Sequence, residues 1–426
     1  AKKKERKKLS HFQKVVKKYN GVSLIIRILA GLVIGAVLAL TVPGAKWIGE
    51  LGNLFVNALK GVAPVLVFVI VAAALAQGTA KLDRRFGMVI WLYMLTTFIA
   101  AALAVCTSFL FPQTVTLAEA AQQDVVPQGL GEVMNTLLKN FVENPLSAII
   151  KGNYIGILFW ACMFGFAMKA VASDPAKTFM ANVSDAVSQI VRWIINLAPF
   201  GILGLVFTNV SENGLSIFTQ YGKLLALLVG TMLFMALVIN PFIIFLYLRR
   251  NPYPLVFRCL RDSGLTAFFT RSSAANIPMN MALCEKLGMD KDMYSVSIPL
   301  GATINMDGAA ITITIMTMAA ANTLGISVKP AAAILLSIMS ALGACGASGV
   351  AGGSLLLIPM ACSLFGISND VAMQMVGVGF IIGVVQDSVE TALNSAGDVE
   401  FAATAEFYQW RKQGKELPDF LGKKSK

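Results

Sequence analysis

Asp387, Glu390, Thr391, Asn394 and Asp398 follow one another at intervals of 3, 1, 3 and 4 residues in an otherwise apolar run. Those intervals set all five on or near one face of a helix. Three carboxylates on one stripe at membrane depth are expensive unless they are paired, bound to cations or facing water. A second cluster is Gly301-Ala302-Thr303-Ile304-Asn305-Met306-Asp307-Gly308-Ala309. Its glycines lower the cost of unwinding a helix, its freed carbonyls become oxygen ligands, and Asp307 supplies charge. A hard cation such as sodium takes this mixture of carbonyl, amide, hydroxyl and carboxylate oxygens, by analogy with calcium. The plainer alternatives are a glycine kink around a buried polar pair and, for Asp398, a last helical turn solvated in the cytosol. Tyr93, Thr96 and Thr97 form a weaker third cluster, because hydroxyls at i, i+3 and i+4 often bond only to their own backbone.

The elements that must position these groups are transmembrane helices. Of 426 residues, 56% are hydrophobic and only 14% charged, against about 25% charged in soluble proteins. That composition excludes a disordered chain and an ordinary soluble enzyme. The net charge of +12 resides in the ends: residues 1–18 hold nine Lys/Arg and one Glu, and residues 411–426 hold six Lys/Arg and two acids. Residues 19–410 are therefore net neutral, and the basic tails report topology and contact with anionic lipid rather than a nucleic-acid partner. None of the six cysteines (Cys106, Cys162, Cys259, Cys284, Cys345, Cys362) forms a CxxC pair, so neither a disulfide framework nor a zinc site is expected. The single histidine, His11, lies in the basic tail, which argues against His-assisted catalysis. That tail is too long and too charged for the n-region of a cleavable signal peptide.

A helix needs about 20 apolar residues to cross a hydrocarbon layer of about 30 Å. The pattern predicts eight spans near 22–42, 51–77, 88–111, 145–170, 190–210, 224–248, 293–322 and 371–395. Lys81, Arg84 and Arg85, and then Arg249, Arg250, Arg258 and Arg261, mark cytoplasmic turns. Glu119, Asp124, Glu132 and Glu143 against Lys139 put 112–144 outside, and both termini are expected in the cytoplasm. Residues 252–289 and 328–366 are apolar but broken, at Thr270-Arg271-Ser272-Ser273-Ala274-Ala275-Asn276-Ile277-Pro278 and across the Gly/Ala/Ser-rich stretch 343–353. Ten full crossings would also return the C-terminus inside, but Arg271 beside two serines would be costly against lipid. Two re-entrant hairpins fit better, and paired broken segments point to a transporter's binding site.

Thr270-Arg271-Ser272-Ser273, Asn305-Met306-Asp307-Gly308 and Asp387…Thr391…Asn394…Asp398 together resemble the signature of the dicarboxylate/amino acid:cation symporters, the glutamate-transporter family. The resemblance covers essentially the whole chain, and residues 270–278 and 386–395 are most similar to its bacterial sodium-coupled serine/threonine branch. It implies an all-α membrane protein of eight transmembrane helices and two re-entrant helical hairpins. The divisions are a basic tail 1–20, mainly scaffold and trimerisation spans 21–111 and 145–248, hairpins 252–289 and 328–366, a broken span 293–322, an eighth span 371–408, and a basic tail 409–426. Span three would also contribute to the transport unit. It further implies a homotrimer in the bacterial inner membrane, working by an elevator-type motion.

Carried over by position, the resemblance implies a substrate pocket of Arg271, Ser272, Ser273, Ala309, Ala347, Gly352, Asp387, Glu390, Thr391 and Asn394. Asp387 would hold the substrate ammonium; Ser273, Asn394 and N–H groups of the second hairpin tip would hold its carboxylate. One sodium would sit among Gly301, Asn305, Asn394 and Asp398. A second would use Thr303 with carbonyls around Ala341 and Ala344, where side-chain oxygens are missing. A third would use Tyr93, Thr96, Thr97, Asn305 and Asp307.

The departures carry the substrate expectation. Acidic-substrate members have an arginine at the position of Glu390 and a threonine at that of Ala309. A glutamate repels a second substrate carboxylate, whereas a serine or threonine hydroxyl could donate to it, with Ala309 leaving room for the threonine methyl. A site built around a hydroxyl discriminates strongly against ligands lacking it. Arg271 is expected to neutralise Glu390 or Asp387. The alternatives are a symporter of dicarboxylates or acidic amino acids on the same fold, a passive channel, and an intramembrane hydrolase using Ser272, Ser273 or Ser348. The last lacks a convincing base.

Overall fold

The computed structural model describes residue 19 and residues 21–77, 84–117, 142–151, 153–345, 347 and 352–421. Lys81, Glu119, Asp124, Glu132, Lys139, Ser348 and nearly all of the N-terminal tail lie outside the described residues. Among those described the chain is helical, without strands. Phe86–Leu110, Ile217–Leu248, Lys291–Thr323 and Asn369–Lys412 are long and apolar enough to cross a membrane. Asp174–Asn196 and Ala198–Glu212, bent by 52°, make a fifth if taken as one.

Among the described residues the other expected spans are shorter or divided, and the reasons are local. The expected span 190–210 breaks at Leu197, ahead of Pro199, which sits in the first turn of the next helix. The expected span 145–170 divides into Pro145–Lys151 and Tyr154–Val171, because Asn153 caps the second helix by accepting the Gly156 N–H at 3.2 Å. Leu24–Thr41 has 18 residues, about 27 Å at 1.5 Å per residue. Its exposed stripe of Ile26, Leu29, Val33, Val37 and Leu40 suits a hydrocarbon surrounding.

The helices pack in two groups. Leu24–Thr41 lies on Ala198–Asn213, and Gly49–Gln77 lies on Tyr154–Val171, Asp174–Asn196 and Ala198–Asn213. The second group is built on Asn369–Lys412, which touches Arg84–Leu110, Ile217–Phe234, Asn240–Leu248, Ser273–Lys286, Lys291–Ile304 and Asp307–Thr323. The sixth span therefore packs with the groups that carry the polar motifs, although its position in the chain placed it among the scaffold spans. Every residue from Asp307 to Ala321 is buried, so this Ala/Thr/Ile helix is core on all faces.

The segment 252–289 folds as Tyr253–Cys259, a π turn Leu260–Gly264, Leu265–Thr270 and Ser273–Lys286. Arg271 terminates the first arm in a left-handed conformation, φ 52°. Ser272 then caps the second arm, accepting the Ala275 N–H at 3.2 Å. The segment 328–366 contributes Pro330–Ala344, Ser354–Leu357 and Ile358–Ser363.

Candidate functional site

Asn305 and Met306 interrupt the seventh helix pair at φ/ψ of −94/82° and −123/52°. Asn305 is fully buried at this break and reaches two other helices, Asn369–Lys412 and Arg84–Leu110. Its Nδ2 donates to Asp398 Oδ1 at 3.1 Å and to the Asn394 carbonyl at 3.2 Å, and its Oδ1 accepts from Thr96 Oγ1 at 3.4 Å. Asn394 returns the contact by accepting the Gly308 N–H at 2.7 Å. Gly301 faces the same point: a Cβ there would stand 2.8 Å from Asp398 Oδ1 and 2.9 Å from Tyr93 Oη. The structure thus brings Gly301, Asn305, Asn394 and Asp398 together. Asp398 is 0% exposed with Oδ2 unpartnered, which removes the solvated-turn alternative. The helix stays buried from Leu393 to Phe407 because a second apolar cluster, including Leu283, Val399, Phe401 and Phe407, covers it.

The hydroxyl cluster bonds both to its own backbone and to other helices. Thr96 and Thr97 donate to backbone carbonyls of their own helix, Thr97 to Tyr93 at 2.8 Å. Thr97 also reaches Asp307 Oδ1 at 3.2 Å, and Tyr93 Oη donates to the Asp398 carbonyl at 2.8 Å. All three are 0% exposed. Tyr93, Thr96, Thr97, Asn305 and Asp307 therefore form one buried oxygen-rich cluster. Thr303 is exposed and donates to its own helix's Leu300 carbonyl at 2.7 Å. Ala341 and Ala344 are buried in the second broken segment, where the Ala341 carbonyl faces the Cys345 thiol. Among the described residues no hydrogen bond joins Thr303 to either alanine.

Arg271 and Asp387 form a buried ion pair, Nε to Oδ2 at 2.6 Å, and Arg271 Nη1 has no partner. Of the two carboxylates expected as its counter-ion, Asp387 takes it. Asp387 Oδ1 also accepts the Gly352 N–H at 3.2 Å, so this carboxylate joins the first broken segment to the second. Glu390, 5% exposed, is ringed by donors instead: Thr312 at 2.7 Å, Ser354 at 2.9 Å and Gln386 at 2.5 Å, all on Oε2. Close packing brings Gly308 against its backbone, where a Cβ would stand 2.8 Å from the Glu390 carbonyl. Thr391 Oγ1 is tied to the Asp387 carbonyl at 2.7 Å. Ser273, Ala309 and Ala347 are buried.

The ring around Glu390 was missed in the sequence. Gln386, one helical turn before Glu390, could have been found from spacing; Thr312 and Ser354 arrive from other helices. So does a buried lock in which Asn276 Nδ2 donates to Ser395 Oγ at 2.8 Å and Asn280 Nδ2 to the Ser395 carbonyl at 3.1 Å, fixing the first broken segment to the C-terminal helix.

Long apolar helices that bury carboxylates beside a broken helix pair suit a polytopic membrane protein, and comparison gives its kind. The model of the sodium:dicarboxylate symporter family matches residues 24–406, and the chain belongs to that family. It is a transporter, not an enzyme. It is 74% identical over 403 residues to the serine/threonine transporter SstT of Bifidobacterium adolescentis, covering 95% of this chain and 94% of that one. Proteins of the same name from Streptococcus agalactiae serotype III and Streptococcus thermophilus are 59% and 56% identical over 395 and 401 residues. Those alignments cover 92% and 94% of this chain and 98% and 100% of the relatives.

Proposed function

We propose that this chain couples the downhill entry of sodium to the uptake of serine and threonine across the bacterial inner membrane, with both termini cytoplasmic. The observation that carries the substrate reading is Glu390, whose carboxylate faces hydroxyl and amide donors rather than a basic side chain. A second substrate carboxylate would meet charge of its own sign there. A serine or threonine hydroxyl can join or replace the Thr312 and Ser354 hydroxyls on Glu390, with Ala309 beside Gly308 leaving space. The substrate ammonium takes the place of the Arg271 guanidinium on Asp387, while Ser273, Asn394 and backbone N–H groups near Ala347 and Gly352 receive the carboxylate.

The cations are cargo. Asp398, Asn394, Asn305 and Gly301 supply one set of oxygens; Tyr93, Thr96, Thr97, Asn305 and Asp307 supply another. Thr303 with the carbonyls around Ala341 and Ala344 is a third, formed only if the second hairpin closes on the seventh span. The full architecture is eight spans and two hairpins in a homotrimer. The unit that slides comprises the two hairpins and spans three, six, seven and eight, a grouping supported by their mutual packing.

The test is uptake of labelled serine into proteoliposomes with and without an inward sodium gradient, challenged by excess threonine, alanine, glutamate and succinate. Concentrative, sodium-dependent uptake blocked by threonine but not by glutamate or succinate is expected. Inhibition by glutamate or succinate would overturn the role given to Glu390 in favour of an acidic substrate, and uptake without accumulation would favour a channel.

A further inference from the structure

Three donors converge on one oxygen of Glu390. Gln386 Nε2 at 2.5 Å, Thr312 Oγ1 at 2.7 Å and Ser354 Oγ at 2.9 Å all reach Oε2, and among the described residues none donates to Oε1. Nor is Oε1 one of the enclosed polar atoms left without a partner, so it keeps accessible surface. Gln386 and Thr312 are 0% exposed and Ser354 1%, whereas Glu390 is 5%. Access to this group of side chains is therefore at Glu390, on the oxygen its neighbours leave alone. The donors also fix one another. An amide nitrogen has two protons and a hydroxyl one. Gln386 Nε2 gives its second proton to Thr312 Oγ1 at 2.7 Å, and the Thr312 hydroxyl, accepting there, turns its own proton to Glu390. The amide cannot be reversed without setting its oxygen against a carboxylate. Gln386 lies one turn before Glu390 on the C-terminal helix, and Thr312 lies on Asp307–Thr323, which packs against that helix. Gln386 holds this place at a cost: its own Oε1 is buried without a partner, which a methionine or leucine filling the same space would avoid.

We propose that Gln386 and Thr312 are positioning residues for hydroxyl selection: they occupy Oε2 of Glu390 and lock its carboxylate, leaving Oε1 as the acceptor of the substrate hydroxyl. The proposal rests on the reading of Glu390 as a substrate contact and assigns the oxygen that makes it. A serine or threonine hydroxyl then adds to the group without displacing a protein donor. Alanine leaves Oε1 bare. An acceptor held in place beforehand loses less on binding than one that must be ordered by the ligand, and a site built around a hydroxyl discriminates against its absence.

The test is uptake of labelled serine and of labelled alanine by the full-length protein in proteoliposomes under an inward sodium gradient, read as the ratio of their kcat/KM values. Gln386→Met should narrow that ratio by about tenfold, the lower end of what a hydrogen bond to a charged group is worth, through a raised KM for serine with the KM for alanine unchanged. A merely structural defect would lower both substrates together. In a Glu390→Gln background the same substitution should alter the ratio less than about twofold, because it acts through Glu390. Thr312→Val should also narrow the ratio, and Thr312→Ser, which keeps the hydroxyl, should retain it. If Glu390→Gln alone leaves the ratio of the unsubstituted protein unaltered, the reading of Glu390 as a substrate contact fails. If Glu390→Gln narrows it while Gln386→Met and Thr312→Val do not, or lower both substrates equally, the positioning role alone is overturned. Should Gln386→Met not survive purification, Thr312→Val against Thr312→Ser decides: equal ratios end the proposal.

Discussion

Gly301→Ala is the smallest change that enters the ligand cluster around Asp398. The new methyl would stand 2.8 Å from Asp398 Oδ1 and 2.9 Å from Tyr93 Oη, too close for either to remain. Neither is free to move. Both residues are 0% exposed; Tyr93 Oη is bonded to the Asp398 carbonyl at 2.8 Å, and Asp398 Oδ1 to Asn305 Nδ2 at 3.1 Å. Overfilling a packed core by a methyl group costs about 1–3 kcal/mol. Because the displaced atoms are the proposed ion ligands, that cost falls on binding. At about 1.4 kcal/mol per factor of ten, half-saturating sodium should rise about 5- to 140-fold. In the ion-free protein, alanine in place of this last-turn glycine favours the helix by at most about 1 kcal/mol, offsetting part of the steric cost. Thermal unfolding at zero and at saturating sodium separates the two effects: a slightly lowered ion-free Tm with a weakened sodium response is expected. A half-saturating concentration within twofold of the unsubstituted protein would refute the assignment of Gly301 and Asp398 to a cation site.

Arg271→Met should strand Asp387, 2% exposed, and breaking a buried pair costs about 3–5 kcal/mol. The ion-free Tm should fall while the serine-induced rise grows, because the substrate ammonium replaces the missing guanidinium; an unchanged rise counts against Asp387 as ammonium acceptor. Glu390→Gln should narrow the preference for serine over alanine by about 10- to 150-fold, the worth of a hydrogen bond to a charged group at about 1.5–3 kcal/mol, and competition uptake showing an unaltered ratio would exclude a substrate contact there. Outside the membrane-spanning helices, the Lys151 ammonium, then Asn153 and Ser147, hold the Glu143 carboxyl at about 2 instead of 4.5. A lowered folded value stabilises above the ordinary pKa and is lost as pH falls through the folded one. Trp160, whose Nε1 donates to the Glu143 carbonyl at 2.7 Å, should therefore keep its emission from neutral pH to about 4.5 and change only below; a transition finished above that pH would refute the pairing.

Clusters carried on one helix were legible in the residues themselves, whereas clusters assembled between helices came only through the family resemblance or were missed. The break at Asn305-Met306 and the polar face from Asp387 to Asp398 follow from local composition and helical spacing, which survive folding unchanged. The donors on Glu390 could not be read that way, since Thr312 and Ser354 lie 78 and 36 residues from it. The run of apolar residues alone would end the last span near Ser395, short of the 371–408 that the family resemblance implies. Polar residues after Ser395 look like an emerging helix end, whereas the structure continues the helix to Lys412 under an apolar cover drawn from Phe86, Leu283 and Leu421.

The charges in the site bear on why sodium and substrate should travel together. Asp307, Asp387, Glu390 and Asp398 are all at most 5% exposed, and the one guanidinium among them, Arg271, is committed to Asp387. When ionised, the empty cluster is anionic, and carrying such charge through a low-dielectric layer is expensive. A zwitterionic amino acid cannot relieve this. Its ammonium only exchanges with Arg271 on Asp387, and its carboxylate adds a charge of the same sign. Cations can, and the geometry ties their binding to the substrate's. Asn305 bonds Thr96, Asp398 and the Asn394 carbonyl, and Asn394 in turn holds the Gly308 N–H beside Glu390. An ion that draws in the Asp398 or Thr96 oxygens would move Asn305, and with it Asn394, the residue we propose for the substrate carboxylate. On the proposed assignment, whatever sodium adds to serine affinity serine adds to sodium affinity, which ties neutralisation of the cluster to substrate binding.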